Sequence, residues 1–222
     1  MIRAARLGCV LCSLLILLLA SCRWGEWWRV DEVWVSSTRY VAVEQLTGIL
    51  LGANVLRLQT GGIRDWIRRD PRVLEATIRV RPLRKRVEVE IKEREPAVEV
   101  RLGGGEAVWV DAEGVILEPG TAPAVVGVPR AGERVAVEAV RAARAVAQLS
   151  PALRERFPTF DVSDPTDVIA EGDGSPTLLL GEISQLGERL AILEELWERG
   201  LLAEYATVDF RVGDEVILKR KR

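Results

Sequence analysis

The chain contains no histidine. That removes the commonest general base and the commonest transition-metal ligand. Carboxylates and lysines remain, but the acidic residues are scattered along amphipathic faces and form no catalytic constellation. Cysteine is almost as scarce. Its three copies, Cys9, Cys12 and Cys22, all lie in or at the end of one N-terminal apolar run, so residues 23–222 hold neither a disulfide nor a thiolate metal site. Cys9 and Cys12 have the spacing of a redox pair, but their Leu-rich setting is not the start of a helix in a βαβ unit. Charge of one sign is also lacking. The 31 basic and 33 acidic side chains leave a net charge of −2, with no basic footprint for nucleic acid. These absences argue against an enzyme, and no cofactor, metal or small-molecule substrate is expected. The 48% of apolar residues argues for a folded chain rather than disorder.

What is present begins with residues 7–22, sixteen residues without charge between Arg6 and Arg23. As a helix this run is about 24 Å long, short of a hydrocarbon core of about 30 Å. The flanks supply the remainder: Trp24, Trp27 and Trp28 as an interfacial belt, and Arg3, Arg6 and Arg23 as snorkelling cations. The expectation is a cytoplasmic tail over 1–6, an anchor with its Trp segment over 7–28, and residues 29–222 outside the cytoplasm. Two alternatives stay open. Leu19-Ala20-Ser21-Cys22 has the small residues that precede a lipidated cysteine, which makes Cys22 a candidate lipidation site, and a conventionally cleaved signal peptide has the same general form.

Residues 29–95 read as a first module. A strand is predicted over 30–37, with Val33 and Val35 on one face. A helix follows over 42–51, where Val43, Leu46 and Leu50 recur three and four apart and Gly52 stops it. Residues 54–58 read as an extended connector. A second helix is predicted over 63–69, with Ile63, Trp66 and Ile67 inward, ended by Asp70-Pro71. The period then becomes two. Ala76, Ile78 and Val80 alternate with polar residues, Pro82 to Arg86 turns, and Val87, Val89 and Ile91 alternate again, which describes a β-hairpin. Its outer face sets Arg79 and Arg81 near Glu88 and Glu90 as a charge ladder.

The order strand, helix, helix, strand, strand resembles a POTRA domain. The stretch from Asp70 to Val100 is similar to the hairpin of the FtsQ/DivIB cell-division family, through Pro71, Val73, Ala76, Pro82, Val87, Val89, Ile91, Glu93, Arg94 and Pro96. Asp111-Ala112-Glu113-Gly114 falls at the family's distance downstream. The turn before Pro82 is more basic than the family's pattern.

Residues 96–222 read as a second module, making the whole an α+β protein: a POTRA domain over 29–95, then a mixed domain with a largely antiparallel sheet and two helices. Strands are predicted over 97–102 and 106–110 around Gly103-Gly104-Gly105. These glycines lack the helix and lysine of a phosphate loop and read as a hairpin turn. Asp111 to Gly114 is a second turn rather than a calcium loop, and leads into a strand over 115–117. Residues 118–132 read as a loop. A helix is predicted over 134–149 from Val135, Ala139, Ala142, Val146 and Leu149. Strands follow at 159–163, 167–171 and 177–180. The clearest helix is 183–199, with Ile183, Leu186, Leu190, Leu193 and Trp197 as its stripe and Gly200 as its cap.

The chain closes on two strands, 206–212 and 215–219. The resemblance implies a binding edge here, made by Tyr205, Ala206, Thr207, Val208, Asp209, Phe210 and Arg211 or by Glu215, Val216, Ile217 and Leu218. A partner strand would complete the ladder of exposed backbone groups. Which of the two strands is the edge is left open at this level. The implied function is a non-enzymatic divisome scaffold in the cytoplasmic membrane, at the division septum. Its implied partners are FtsB-like and FtsL-like proteins, other division proteins through the POTRA domain, and membrane lipid. The alternatives are a lipid-anchored extracytoplasmic binding protein and a POTRA-type assembly or transport component. The latter would continue into a barrel of many alternating strands, and here two of the later stretches read as helices.

Overall fold

The structure, a computed structural model, describes residues 12–17, 26–213 and 215–221, without the Glu26 side chain. It is an α+β protein whose chain divides into two units, Met1–Glu93 and Arg94–Arg222. Residues 12–17 lie in a helix, α1. Among the described residues no helix is long and apolar enough to cross a membrane. The transmembrane helix expected over 7–28 is thus not among the described elements, and most of that span, with Cys22 and Trp24, lies outside the described residues. Trp27 and Trp28 end a 3-10 turn, Glu26–Trp28; Trp27 is 82% exposed and Trp28 is half-buried.

In the first unit β1 spans Glu32–Val35, shorter than predicted. The reason is hydrogen bonding at its start. Val30 is buried, but its N–H donates to Ala53 O (2.9 Å) and its carbonyl accepts from Gly52 (2.9 Å), so its backbone belongs to the neighbouring turn. Helix α2, Val43–Leu50, buries Leu46 and Leu50 at the predicted spacing, and Gly52 (φ +77°) takes the left-handed turn after it. Residues 54–58 are not extended. Asn54 Oδ1 accepts from Leu56 N–H (3.0 Å) and Asn54 O from Arg57 N–H (3.0 Å), because an asparagine side chain can mimic a backbone turn. Helix α3, Thr60–Ile67, starts three residues earlier than predicted and buries Ile67. It ends where Asp70 folds back to accept from Arg72 N–H (3.0 Å) and from its guanidinium (2.6 and 2.9 Å).

Strands β2, Val73–Arg81, and β3, Arg86–Glu93, form the predicted hairpin across a 3-10 turn at Pro82–Arg84. The pairs Ala76–Ile91, Ile78–Val89 and Val80–Val87 make its apolar face. The charge ladder forms on the diagonals, Arg79 to Glu90 (3.2 Å) and Arg81 to Glu88 (3.4 Å). β1 joins β3 in parallel, giving the order β1-β3-β2.

The second unit opens with a meander of β4 (Val98–Arg101), β5 (Ala107–Val110) and β6 (Ile116–Pro119). The predicted loop 118–132 holds more structure than its Pro and Gly content suggested. Its β7, Val125–Val126, pairs in parallel with Phe160 and Asp161, and β8 (Arg130–Ala131) pairs with β9 (Arg134–Val135). Because β9 claims residues 134 and 135, helix α4 begins only at Val137 and runs to Gln148. Its predicted stripe from Val135 to Leu149 is buried throughout. A further helix, α5 (Pro151–Arg156), has proline in its first turn, where the missing N–H is harmless. The described part of this unit therefore has three α-helices rather than two.

Strands β10 (Thr159–Asp161), β11 (Val168–Glu171) and β12 (Thr177–Gly181) follow, then α6 (Leu186–Glu198), β13 (Tyr205–Val212) and β14 (Glu215–Arg220). They form a six-stranded sheet in the order β14-β13-β12-β11-β10-β7. The sheet is mixed, since β12–β13 and β10–β7 are parallel. Helices α4 and α6 and the sheet enclose one core around Val140, Leu153, Phe157, Phe160, Leu178 and Leu193, all fully buried.

Candidate partner-binding edge

The two closing strands occupy different places. β13 is paired on both sides. It runs parallel to β12, with Thr207, Val208 and Asp209 opposite Thr177, Leu178 and Leu179. On its other side it is antiparallel to β14, with Thr207, Val208 and Asp209 opposite Lys219, Leu218 and Ile217. β14 ends the sheet. It is paired on one side only, so alternate N–H and C=O groups along it point away from the sheet. The opposite end, β7, is two residues long, too short for a ladder.

The side chains of β13 do not follow the in-and-out alternation of a half-buried strand. Val208 and Phe210 are buried, but Ala206 and Val212 are exposed, and Tyr205 and Thr207 are half-buried. Asp209, between Val208 and Phe210, is buried as well. Register shifts between Tyr205 and Thr207 and between Asp209 and Val212 break the strict period of two. Arg211 then lies back over Asp209. Its Nε and Nη2 donate to the carboxylate at 2.9 Å each, its backbone N–H donates at 3.0 Å, and its Nη1 reaches Asp167 (3.4 Å). These bonds from Arg211 hold the Asp209 carboxyl below the usual carboxylate range and raise the arginine above its own.

On β14, Val216 and Leu218 are half-buried against the core, while Glu215, Ile217, Lys219 and Arg220 are exposed. Beside the strand lies a hollow of about 530 Å³ between α6 and the β13–β14 hairpin, lined by Ile192, Phe210 and Val216 among charged residues that include Glu188, Arg189 and Glu215. Sequence reading missed the α6 side of this hollow. Its one signal was Ile192, an apolar residue off the Leu186-Leu190-Leu193 stripe, 41% exposed.

The residues that carried the family resemblance have structural work instead. Glu93 Oε1 accepts the Thr38 hydroxyl and the N–H groups of Arg39 (2.7 Å) and Tyr40 (3.0 Å), which fixes the turn into α2. Arg94 Nη1 donates to Asp111 Oδ2 (2.6 Å) and Glu113 Oε2 (2.9 Å). Asp111 Oδ1 accepts the N–H groups of Glu113 (2.9 Å) and Val115 (2.7 Å). Gly114 (φ +81°) must be glycine, because a Cβ there would stand 2.3 Å from Val135 O. Among the described residues no group of three or more acidic or cysteine side chains could hold a metal ion.

No curated protein matched the chain. A family model described as cell division protein FtsQ/DivIB, C-terminal, matches residues 99–211, just over half of the chain. The match runs from β4 through most of β13 and stops short of β14. With this match, the chain belongs to the FtsQ/DivIB family of cell-division proteins.

Proposed function

We propose that the chain is a non-enzymatic divisome scaffold, tethered to the cytoplasmic membrane through residues 7–28, that captures partner division proteins by strand addition at β14. The terminal place of β14 in the sheet carries this reading. An incoming strand would satisfy its outward N–H and C=O groups, and exposed Ile217 and half-buried Val216 and Leu218 supply alternating contacts. The hollow beside Val216 has room for a partner side chain. In this reading β13 acts as the support of the edge, so Val208 and Asp209 position β14 without touching the partner. FtsB-like and FtsL-like proteins are the proposed partners, at the septum. The order β1-α2-α3-β2-β3 supports a POTRA domain over 29–95, which would contact further division proteins, and residues 96–222 would be the partner-binding domain.

Two adjacent prolines test this. N–H groups of neighbouring strand residues point to opposite sides, so Ile217→Pro and Leu218→Pro remove one bond to β13 and one outward donor. Capture of FtsB- and FtsL-like proteins from membranes is measured with the full chain, beside thermal unfolding. The variant that loses the outward donor keeps its fold and loses capture. Normal capture by both variants overturns the reading.

A further inference from the structure

We propose that the β2–β3 hairpin tip, together with Trp27, forms a second membrane contact that recognises anionic lipid headgroups. This inference rests on the tethered reading above. Four of the six residues from Arg81 to Arg86 are basic, and Leu83 among them is 94% exposed. A bare leucine flanked by cations at a turn matches an interface in chemistry. The leucine enters the acyl boundary while the arginines and lysine meet phosphates.

The position of the tip supplies the second observation. β1 and β3 are parallel, with Glu32 opposite Arg86, so the tip lies at the end of the sheet where the chain enters the unit. The N–H groups of Asp31 and Glu32 donate to Lys85 O (2.9 and 3.3 Å). The turn after α2 reaches the same end, because Val55 N–H donates to Trp28 O (2.8 Å), and it adds exposed Leu51 and Leu56. Trp27, 82% exposed, immediately precedes these residues. Val30 is buried, and eight residue steps from Cys22 span at most about 28 Å of extended chain. An apolar run embedded in a bilayer therefore keeps this end of the unit near the lipid surface.

The acidic groups facing the tip are Asp31, Glu32 and Glu88, paired with Lys85 (3.2 Å), Arg86 (2.7 Å) and Arg81 (3.4 Å). One partner of each pair is more than half exposed, and exposed pairs contribute little, so they exchange for phosphate. Arg84 has no acidic partner among the described residues and makes the first contact.

The test places p-benzoylphenylalanine at Leu83 in the full chain. The protein is reconstituted in phosphatidylcholine vesicles with or without phosphatidylglycerol, floated and irradiated, and adducts are identified by mass spectrometry. Lipid adducts are expected at position 83 with phosphatidylglycerol. They should fall several-fold in phosphatidylcholine alone and in the double variant Arg84→Glu, Lys85→Glu. A chain that floats without forming an adduct overturns this inference and leaves the tether standing. A chain that does not float overturns the tether, and this inference with it. Crosslinking in cells to a protein in place of lipid overturns the lipid assignment.

Discussion

Two carboxylates are buried among the described residues, Asp111 and Asp209, and an arginine meets each of them. A buried carboxylate without such a partner would be costly, so the arginine is part of what lets the residue occupy its place. For Asp209 the consequence is a pH dependence. The Arg211 hydrogen bonds hold its folded pKa below the unfolded value of about 3.9. The unfolded chain therefore binds the proton more readily. The stabilisation is fully present above about pH 4 and is lost as the pH falls through the lower folded value. Asp209→Asn removes this term. Urea midpoints measured from neutral to acid pH should lie below the parent's at neutral pH and converge on it as the solution becomes acidic. A constant gap across that range would contradict the assignment.

Helix α6 shows how an element is terminated as well as begun. Leu201 N–H donates to Leu196 O (3.0 Å) and Gly200 N–H to Trp197 O (2.9 Å), with Gly200 at φ +70°. This is the Schellman arrangement, which satisfies the last carbonyls and turns the chain toward β13. A side chain at that φ is strained. Gly200→Ala should destabilise the fold by about 1 kcal/mol, read as a lowered urea midpoint with an unchanged denaturant slope. Such a stop is visible in sequence, because the apolar stripe ends and glycine follows. The short strands are not. β7 has two residues among prolines and glycines, and nothing in Val125-Val126 announces a pairing with Phe160 and Asp161 more than thirty residues away. The start of α4 is hidden for the same reason: Val135 has helical spacing but lies in β9, paired with Arg130 of β8.

Each unit has its own core, one around Leu46, Leu50, Val87 and Val89 and the other around Phe157, Phe160, Leu178 and Leu193. The consecutive residues Glu93 and Arg94 divide between them, Glu93 bonded within the first and Arg94 within the second. Arg94 is 13% exposed and Asp111 7%, while Glu113 is open to solvent. Removing the Arg94 side chain should cost roughly 2 kcal/mol, between the values for exposed and buried pairs. Amide hydrogen exchange checks where that loss falls. Arg94→Ala should lower protection across β4 to β6 and leave the Glu93-bonded turn at residues 38–40 as before.

Most of the elements and the apolar faces they bury are legible in the order of residues: the β2–β3 hairpin, the α4 and α6 stripes, and the turns at Gly52, Gly114 and Gly200. These are local properties, written in periods of 3.6 and 2 and in the few residues that accept a left-handed backbone. Tertiary structure alone decided which strands are neighbours. Both closing strands carry apolar residues in similar patterns, yet β13 became interior and β14 terminal. Backbone hydrogen bonds join strands without regard to side-chain identity, so a strand does not record who its partner is. The burial of Asp209 was equally hidden, because it depends on register shifts and on an arginine two residues away that folds back over it.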